Sequence, residues 1–328
     1  MADFITNFLT ADIRTATPLL LAALGLVFSE RAGIVNIGTE GIMLVGALLG
    51  CLGAALTGSS AMGALLAIAG GFAMALIFAF FTITLRSNQI VVGTAFNIFA
   101  GGFTITLNRL LLNGEKVAGY EAIPIPGLSK IPILGEVLFN WSFPVYLAFL
   151  SVPVCWFVLQ RTNIGLKVRA VGEYPKACDT VGINVFRIRY GAVLFSGMMA
   201  GFAGSFVSMG QLSSFTEGMV SGKGFMALAV CVFGNYSPKT VLWAALLFGA
   251  ADALKYRLLT TGIGSYYQFL NMLPYFITIV ALCMFAKRSN KPACSGVAYR
   301  KEEGGKQDVR VYFGNEAHYQ ALCFGSCQ

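Results

Sequence analysis

Long apolar runs separated by short polar stretches govern how this chain reads. Nine such runs stand out, at about 16–29, 42–57, 61–85, 89–112, 143–160, 190–212, 219–234, 240–259 and 270–286. A helix needs ~20 apolar residues, in a range of ~17–25, to cross a bilayer. The third to sixth, eighth and ninth runs meet that length. The first, second and seventh are short or broken by glycine. The pattern predicts an all-α polytopic membrane protein with about nine transmembrane segments, within about 8–10, some of them broken short helices.

Composition sharpens the picture. Charged residues make up 12% of the 328, against about 25% in a soluble domain, and they cluster between the apolar runs. Residues 1–15 hold acids but no basic n-region, so no cleavable signal peptide is expected. The net charge of +8 follows from basic cytoplasmic loops and calls for no nucleic-acid partner. None of the eight cysteines lies in the loop read below as external, so no disulfide framework is expected. Cys323 and Cys327, with His318 nearby, lack the spacing of a zinc site. No metal site is expected.

Orientation comes from the basic residues. The stretch 161–189 holds Arg161, Lys167, Arg169, Lys176, Arg187 and Arg189 against Glu173 and Asp179. The other long loop, 113–142, holds Lys116 and Lys130 against Glu115, Glu121 and Glu136. The positive-inside bias makes 161–189 cytoplasmic and 113–142 external. One crossing, 143–160, separates them, as it must. Simple alternation then puts the first 15 residues outside, although an extra piece at 30–41 would reverse them. Residues 1–290 form the expected transmembrane domain, and 291–328 a polar, mobile cytoplasmic tail.

Within the cytoplasmic loop a short amphipathic helix is expected at 175–182. Pro175 suits its first turn and Gly182 its left-handed stop. Ala177, Cys178 and Val181 fall on one face. A helix of two turns does not persist alone in water, so it must pack on something. An interfacial helix on lipid headgroups and a docking knob for a soluble partner both fit.

The run GLKVRAVGEYPKACDTVGINVFRIRY (165–190) resembles the coupling loop of permease subunits from ATP-binding-cassette importers, in the branch that moves nucleosides and simple sugars, of the ribose and branched-chain amino acid permease superfamily. ERAGIVNIGTEGIMLVGA (30–47), NQIVVGTAFN (88–97), the glycine-rich run 196–238, LLFGAADAL (246–254) and NMLPYFITIVAL (271–282) agree with it. The resemblance covers about residues 16–300. It implies a bacterial cytoplasmic-membrane transport subunit, not an enzyme. Its partners would be an ATPase subunit carrying ATP and magnesium, a second permease subunit, an extracytoplasmic solute-binding protein or lipoprotein, and the bilayer. This chain would itself hold no cofactor. Glu173, Pro175, Ala177, Cys178, Val181 and Gly182 would couple to the ATPase. Nucleosides are the first expectation for the solute, then simple sugars, then branched-chain amino acids.

Other readings have less behind them. GMVSGKG (218–224) lacks the G-x-x-x-x-G-K-[ST] spacing of a phosphate loop, and no hydrolase or zincin motif occurs, so no catalytic residue is expected. A self-sufficient secondary transporter needs ionisable pairs on several helices; only Glu40, Glu217 and Asp252 come close. Asp252 has Lys255 and Tyr256 on its own helix and reads as structural.

Polar groups inside apolar runs are candidates for the solute path. Asn36 and Glu40 sit in a glycine-broken stretch, and Glu217 precedes another. The repeated triplets Thr39-Glu40-Gly41 and Thr216-Glu217-Gly218 suggest related halves. Asn97 is a further candidate. Capping of helix ends by Asn36 and Glu40, and interhelical hydrogen bonding by Asn97, remain open beside path lining.

Overall fold

A computed structural model describes residues 2–112, 114–124, 140–260, 272 and 290–300. The ninth apolar run and residues 301–328 lie outside the described residues, apart from Met272. The helices are α1 (Ala2–Arg31), α2 (Thr39–Thr57), α3 (Ser60–Ala79), α4 (Gln89–Leu107), α5 (Phe143–Arg161), α6 (Asn163–Glu173), α7 (Pro175–Thr180), α8 (Val185–Ser205), α9 (Lys223–Phe233) and α10 (Pro238–Thr260). α3, α4 and α8 each end in a wider π-helical turn, at Phe80–Thr84, Asn108–Leu112 and Phe206–Leu212. Two three-residue strands, Ala122–Pro124 and Asn140–Ser142, pair antiparallel with Ile123 opposite Trp141.

Six of the described helices are long and apolar enough to cross a bilayer: α1 to α5 and α8, the π turns included. α9 is not. Its 11 residues rise only about 16 Å, roughly half of a ~30 Å hydrocarbon core. The glycine-broken seventh run is thus a half-helix, as its length suggested.

Helix starts follow local chemistry. The Asn88 side chain accepts from the Ile90 and Val91 amides, Asn184 from Arg187, and Thr162 from Gly165. The centre of the bundle is α8, wrapped by α1, α2 and α3. Bulky side chains are absent where these helices meet. A Cβ on Gly46 of α2 would stand 2.5 Å from the Gly201 Cα of α8, and one on Gly71 of α3 would stand 2.9 Å from that same atom. Backbone-to-backbone contact of this kind supplies dispersion energy that lipid cannot.

Contacts between termini fix which ends lie together. The Arg31 backbone closes on Gly172 of α6, Thr84 meets Tyr190, and the Val35 amide donates to Gln89. The end of α1, the end of α3 and the start of α4 therefore share one end of the bundle with α6 and α7. At the opposite end Arg14 donates to the Gly210 and Gln211 carbonyls. Residues 6–14 accordingly lie away from α7, which is the arrangement simple alternation gave.

Candidate functional site

Two helix starts meet inside the bundle. α1 ends at Arg31, the chain breaks over 32–38, and α2 begins at Thr39, whose hydroxyl donates to the Asn36 carbonyl. From the far end of α8 the chain turns back through 213–222, with Ser213 and Ser221 left-handed, to start α9 at Lys223. Glu40, in the first turn of α2, accepts from the Gly222 and Gly224 amides at 2.8 and 2.6 Å. One carboxylate thus lies at the positive ends of two helices. Gly224 is required here, because a Cβ would stand 2.5 Å from the Glu40 Cα and amide nitrogen.

The remaining polar groups organise the same break. Asn97 of α4 uses both ends of its carboxamide: Oδ1 accepts from Gly41 at 2.8 Å, and Nδ2 donates to Ile37 at 3.1 Å. Asn36 is fully buried, and neither carboxamide atom meets a described partner. Of the four path candidates, Glu40 and Asn97 clamp the break, Asn36 is enclosed within it, and Glu217 alone is exposed. Glu217 does not mirror Glu40. It lies before the α9 start and pairs with Arg109 of the α4 end, at 2.9 and 3.3 Å through two nitrogens. The repeated triplets therefore do not occupy equivalent places.

Sequence reasoning passed over three cations. Arg109 is the partner of Glu217. Lys223, buried at the α9 start, has Asp252 and Glu40 as electrostatic neighbours, and Asp252 is paired to Lys255 at 2.8 Å, the local partner expected for it. A lysine in an apolar run was the available signal. Arg189 is buried in α8 and donates to the Val297 carbonyl at 3.1 Å. Nothing in the pattern of α8 distinguished it from the exposed cations around it.

At the other end, Pro175 opens α7 and Gly182, at φ +82°, ends it. α7 runs only to Thr180, shorter than the expected 175–182, because Val181 already leaves helical geometry. The expected face divides. Cys178 is buried against Val171, Val185 and Tyr299, while Ala177 is exposed and Val181 is 73% exposed. Tyr174, 71% exposed, lies beside them. The i and i+3 positions diverge because the helix stops before completing a second turn. The exposed face is Tyr174, Ala177 and Val181, and Cys178 lies under it. Burial raises the Cys178 thiol pKa above its usual value.

Residues 290–299 correct the expectation of a mobile tail from 291. They pack as a strap. The Cys294 amide donates to Gly172, the Gly296 amide to Gly33, and the Ala293 amide to the Glu173 carboxylate. The Ser295 hydroxyl meets Glu30, and Tyr299 stacks edge-on against Phe186. The strap joins α6 to the break between α1 and α2.

The sequence pattern of the family described as "Branched-chain amino acid transport system / permease component" spans residues 8–282. NupQ of Bacillus subtilis, a guanosine ABC transporter permease protein, is 38% identical over 327 residues, 92% of this chain and 98% of its own. NupC of Lactococcus lactis, a nucleoside ABC transporter permease protein, is 34% identical over 309 residues, covering 88% and 95%. TsgC13 of Haloferax volcanii, whose name assigns it to a glucose ABC transporter as a permease, is 41% identical over 259 residues, 78% of each chain.

Proposed function

The chain belongs to this permease-component family, and from that premise we propose that it is the membrane subunit of an ATP-binding-cassette importer for nucleosides. ATP hydrolysis takes place on a separate ATPase subunit, with its magnesium. A second permease subunit completes the path, a binding protein delivers the solute, and the cytoplasmic membrane of a bacterium is the setting. The nucleoside reading is carried by NupQ, which matches nearly the full length of both chains. TsgC13 favours a second reading, a simple sugar.

The geometry supports a coupling route. Ala177 of the six-residue α7, with Tyr174 just before it and Val181 just after it, presents an exposed apolar face on a helix that cannot persist unsupported. Set on the cytoplasmic side by its basic flanks, this face fits a cleft on the ATPase. Force on α7 passes to α6, whose Gly172 touches both the end of α1 and the strap. From there it reaches the 32–38 break and the two helix starts held by Glu40. A movement of α7 would tilt the half-helix α9 against the start of α2, and that is how the path would open. Glu217, on the exposed return segment, is the path candidate that keeps access.

The test is uptake of labelled guanosine and labelled glucose in cells lacking the gene and in cells with it restored. Guanosine uptake should fall with the gene and return with it, while glucose uptake holds steady. The reverse pattern would establish the sugar reading. No change in either would remove both.

A further inference from the structure

A cavity of about 330 Å³ opens between α1, α5, α6 and α8, near the end that carries the coupling helix. Its walls include Phe28 of α1, Val154 and Val158 of α5, Ile164 and Val168 of α6, and Phe195 of α8. Phe28 and Phe195 meet edge to face with centroids 4.7 Å apart. One charged side chain, Arg187, enters the lining, and it is exposed. Among the described residues no carboxylate pairs with it. The space is more than twice the ~150 Å³ of an engineered apolar cavity that takes up benzene, so it has room for a flexible hydrocarbon segment.

We infer that this cavity is a binding site for one anionic phospholipid, its acyl chain in the apolar slot and its phosphate on Arg187. Position, lining and charge each argue for that occupant. The last turns of α5 and the first turns of α8 flank the slot, at the level where α6 leaves the bundle, so headgroups and chains meet there. The transported solute is polar and would gain little from walls of valine, isoleucine and phenylalanine. A zwitterionic headgroup would bring its own cation to Arg187, whereas an anionic one leaves the phosphate free for the guanidinium. Since Ile164 and Val168 belong to α6, an occupied slot also braces the helix that carries motion from α7.

Gly191 supplies a clean variant. It lines the slot, and a Cβ there meets nothing within 4 Å, so Gly191→Leu starts into open space and should take up part of the slot. The full-length protein is purified in detergent and mixed with phosphatidylglycerol or phosphatidylcholine of matched chains, and bound lipid is counted by native mass spectrometry. The wild type should retain phosphatidylglycerol at least about tenfold more strongly, the scale of one hydrogen-bonded charge. Arg187→Gln should reduce it to the phosphatidylcholine level, and Gly191→Leu should reduce both lipids. Inorganic phosphate should not displace the lipid. Equal retention of the two lipids by the wild type, unchanged selectivity in Arg187→Gln, unchanged retention in a Gly191→Leu protein of normal melting temperature, or displacement by phosphate would each overturn the proposal.

Discussion

Glu40 and Gly224 lie 184 positions apart in the chain, yet the carboxylate of one accepts from the backbone amide of the other at 2.6 Å. That bond joins the start of α2 to the start of α9. Each helix leaves its first amides without an intrahelical partner, and inside a membrane no water replaces them. An acid shared between two such ends satisfies donors on α9 while its charge meets the dipoles of both helices. The geometry is therefore costly to take apart.

Replacing Glu40 should show this. Glu40→Ala leaves the buried Gly224 amide without an acceptor, which costs about 1–3 kcal/mol, and the half-buried Gly222 amide without one at a smaller cost. A lowered melting temperature in detergent and poor recovery from the membrane should follow. Glu40→Gln keeps one acceptor and loses the charge, so its destabilisation should be smaller, up to ~2 kcal/mol. Gly224→Ala should resemble Glu40→Ala, because its Cβ would meet backbone atoms that no rotamer change can move. A Glu40→Ala protein that melts with the wild type would show that the bond contributes nothing.

The Arg109–Glu217 pair should behave differently. Both side chains are exposed, at 70% and 41%, so water screens their attraction. Arg109→Gln and Glu217→Gln should leave the melting temperature unchanged. If the pair sets the return segment for solute passage, each change should lower uptake. The double variant should then be no worse than either single one, since residues acting through one contact are not additive. Full uptake in both variants would remove the pair from the path.

Much of this was legible in the sequence, and the limits were physical. Eight of the nine apolar runs lie on described helices, because bilayer solvation leaves a strong composition signal. Pro175 and Gly182 marked α7 through backbone preferences that act locally. What the chain could not announce was pairing across distance. Glu40 read as a helix-end cap or a path-lining group, and the sequence did not say which helix it would cap. Only the return of 213–222 into the bundle brings the Gly222 amide to it. Cys178 failed for a related reason. Its helix is too short for periodicity to define a face, and the covering side chain, Tyr299, comes from a segment whose polarity suggested a loose tail.

Tyr299 offers a direct test of the strap. In a variant with Cys178 as the only cysteine, the thiol is buried and its pKa raised. A raised pKa leaves less thiolate at any given pH, so reaction with a maleimide should be slow and its pH profile displaced upward from that of a free thiol near ~8.5. Tyr299→Ala removes one ring of the cluster that buries Cys178, the ring that packs edge-on against Phe186. Labelling should accelerate and the profile move down in pH. The strap would lose its ring contact with Phe186 of α8 while its backbone bonds to Gly172 and Gly33 remain, so uptake should change little. Unchanged labelling in Tyr299→Ala would mean that the strap does not cover the coupling helix in the membrane.

Val181 carries the sharpest prediction. It is 73% exposed at the end of α7, where an apolar side chain gains nothing from water and a small one from lipid headgroups. The proposed cleft on the ATPase would give it a place. Val181→Asp would carry a charge into that cleft, where burying an unpaired ion costs several kcal/mol. Solute-stimulated ATP hydrolysis and uptake should be abolished while the protein still reaches the membrane, since an exposed aspartate disturbs nothing within the subunit. Side and contact can be read from alanine positions that accept cysteine without strain. Ala118 and Ala177 are both exposed. On intact cells Ala118→Cys should react with an impermeant thiol reagent and Ala177→Cys should not. In membranes Ala177→Cys should cross-link to a cysteine in the ATPase groove. Labelling of Ala177→Cys from outside would invert the orientation. Normal transport by Val181→Asp, with no cross-link in any nucleotide state, would leave α7 resting on lipid alone.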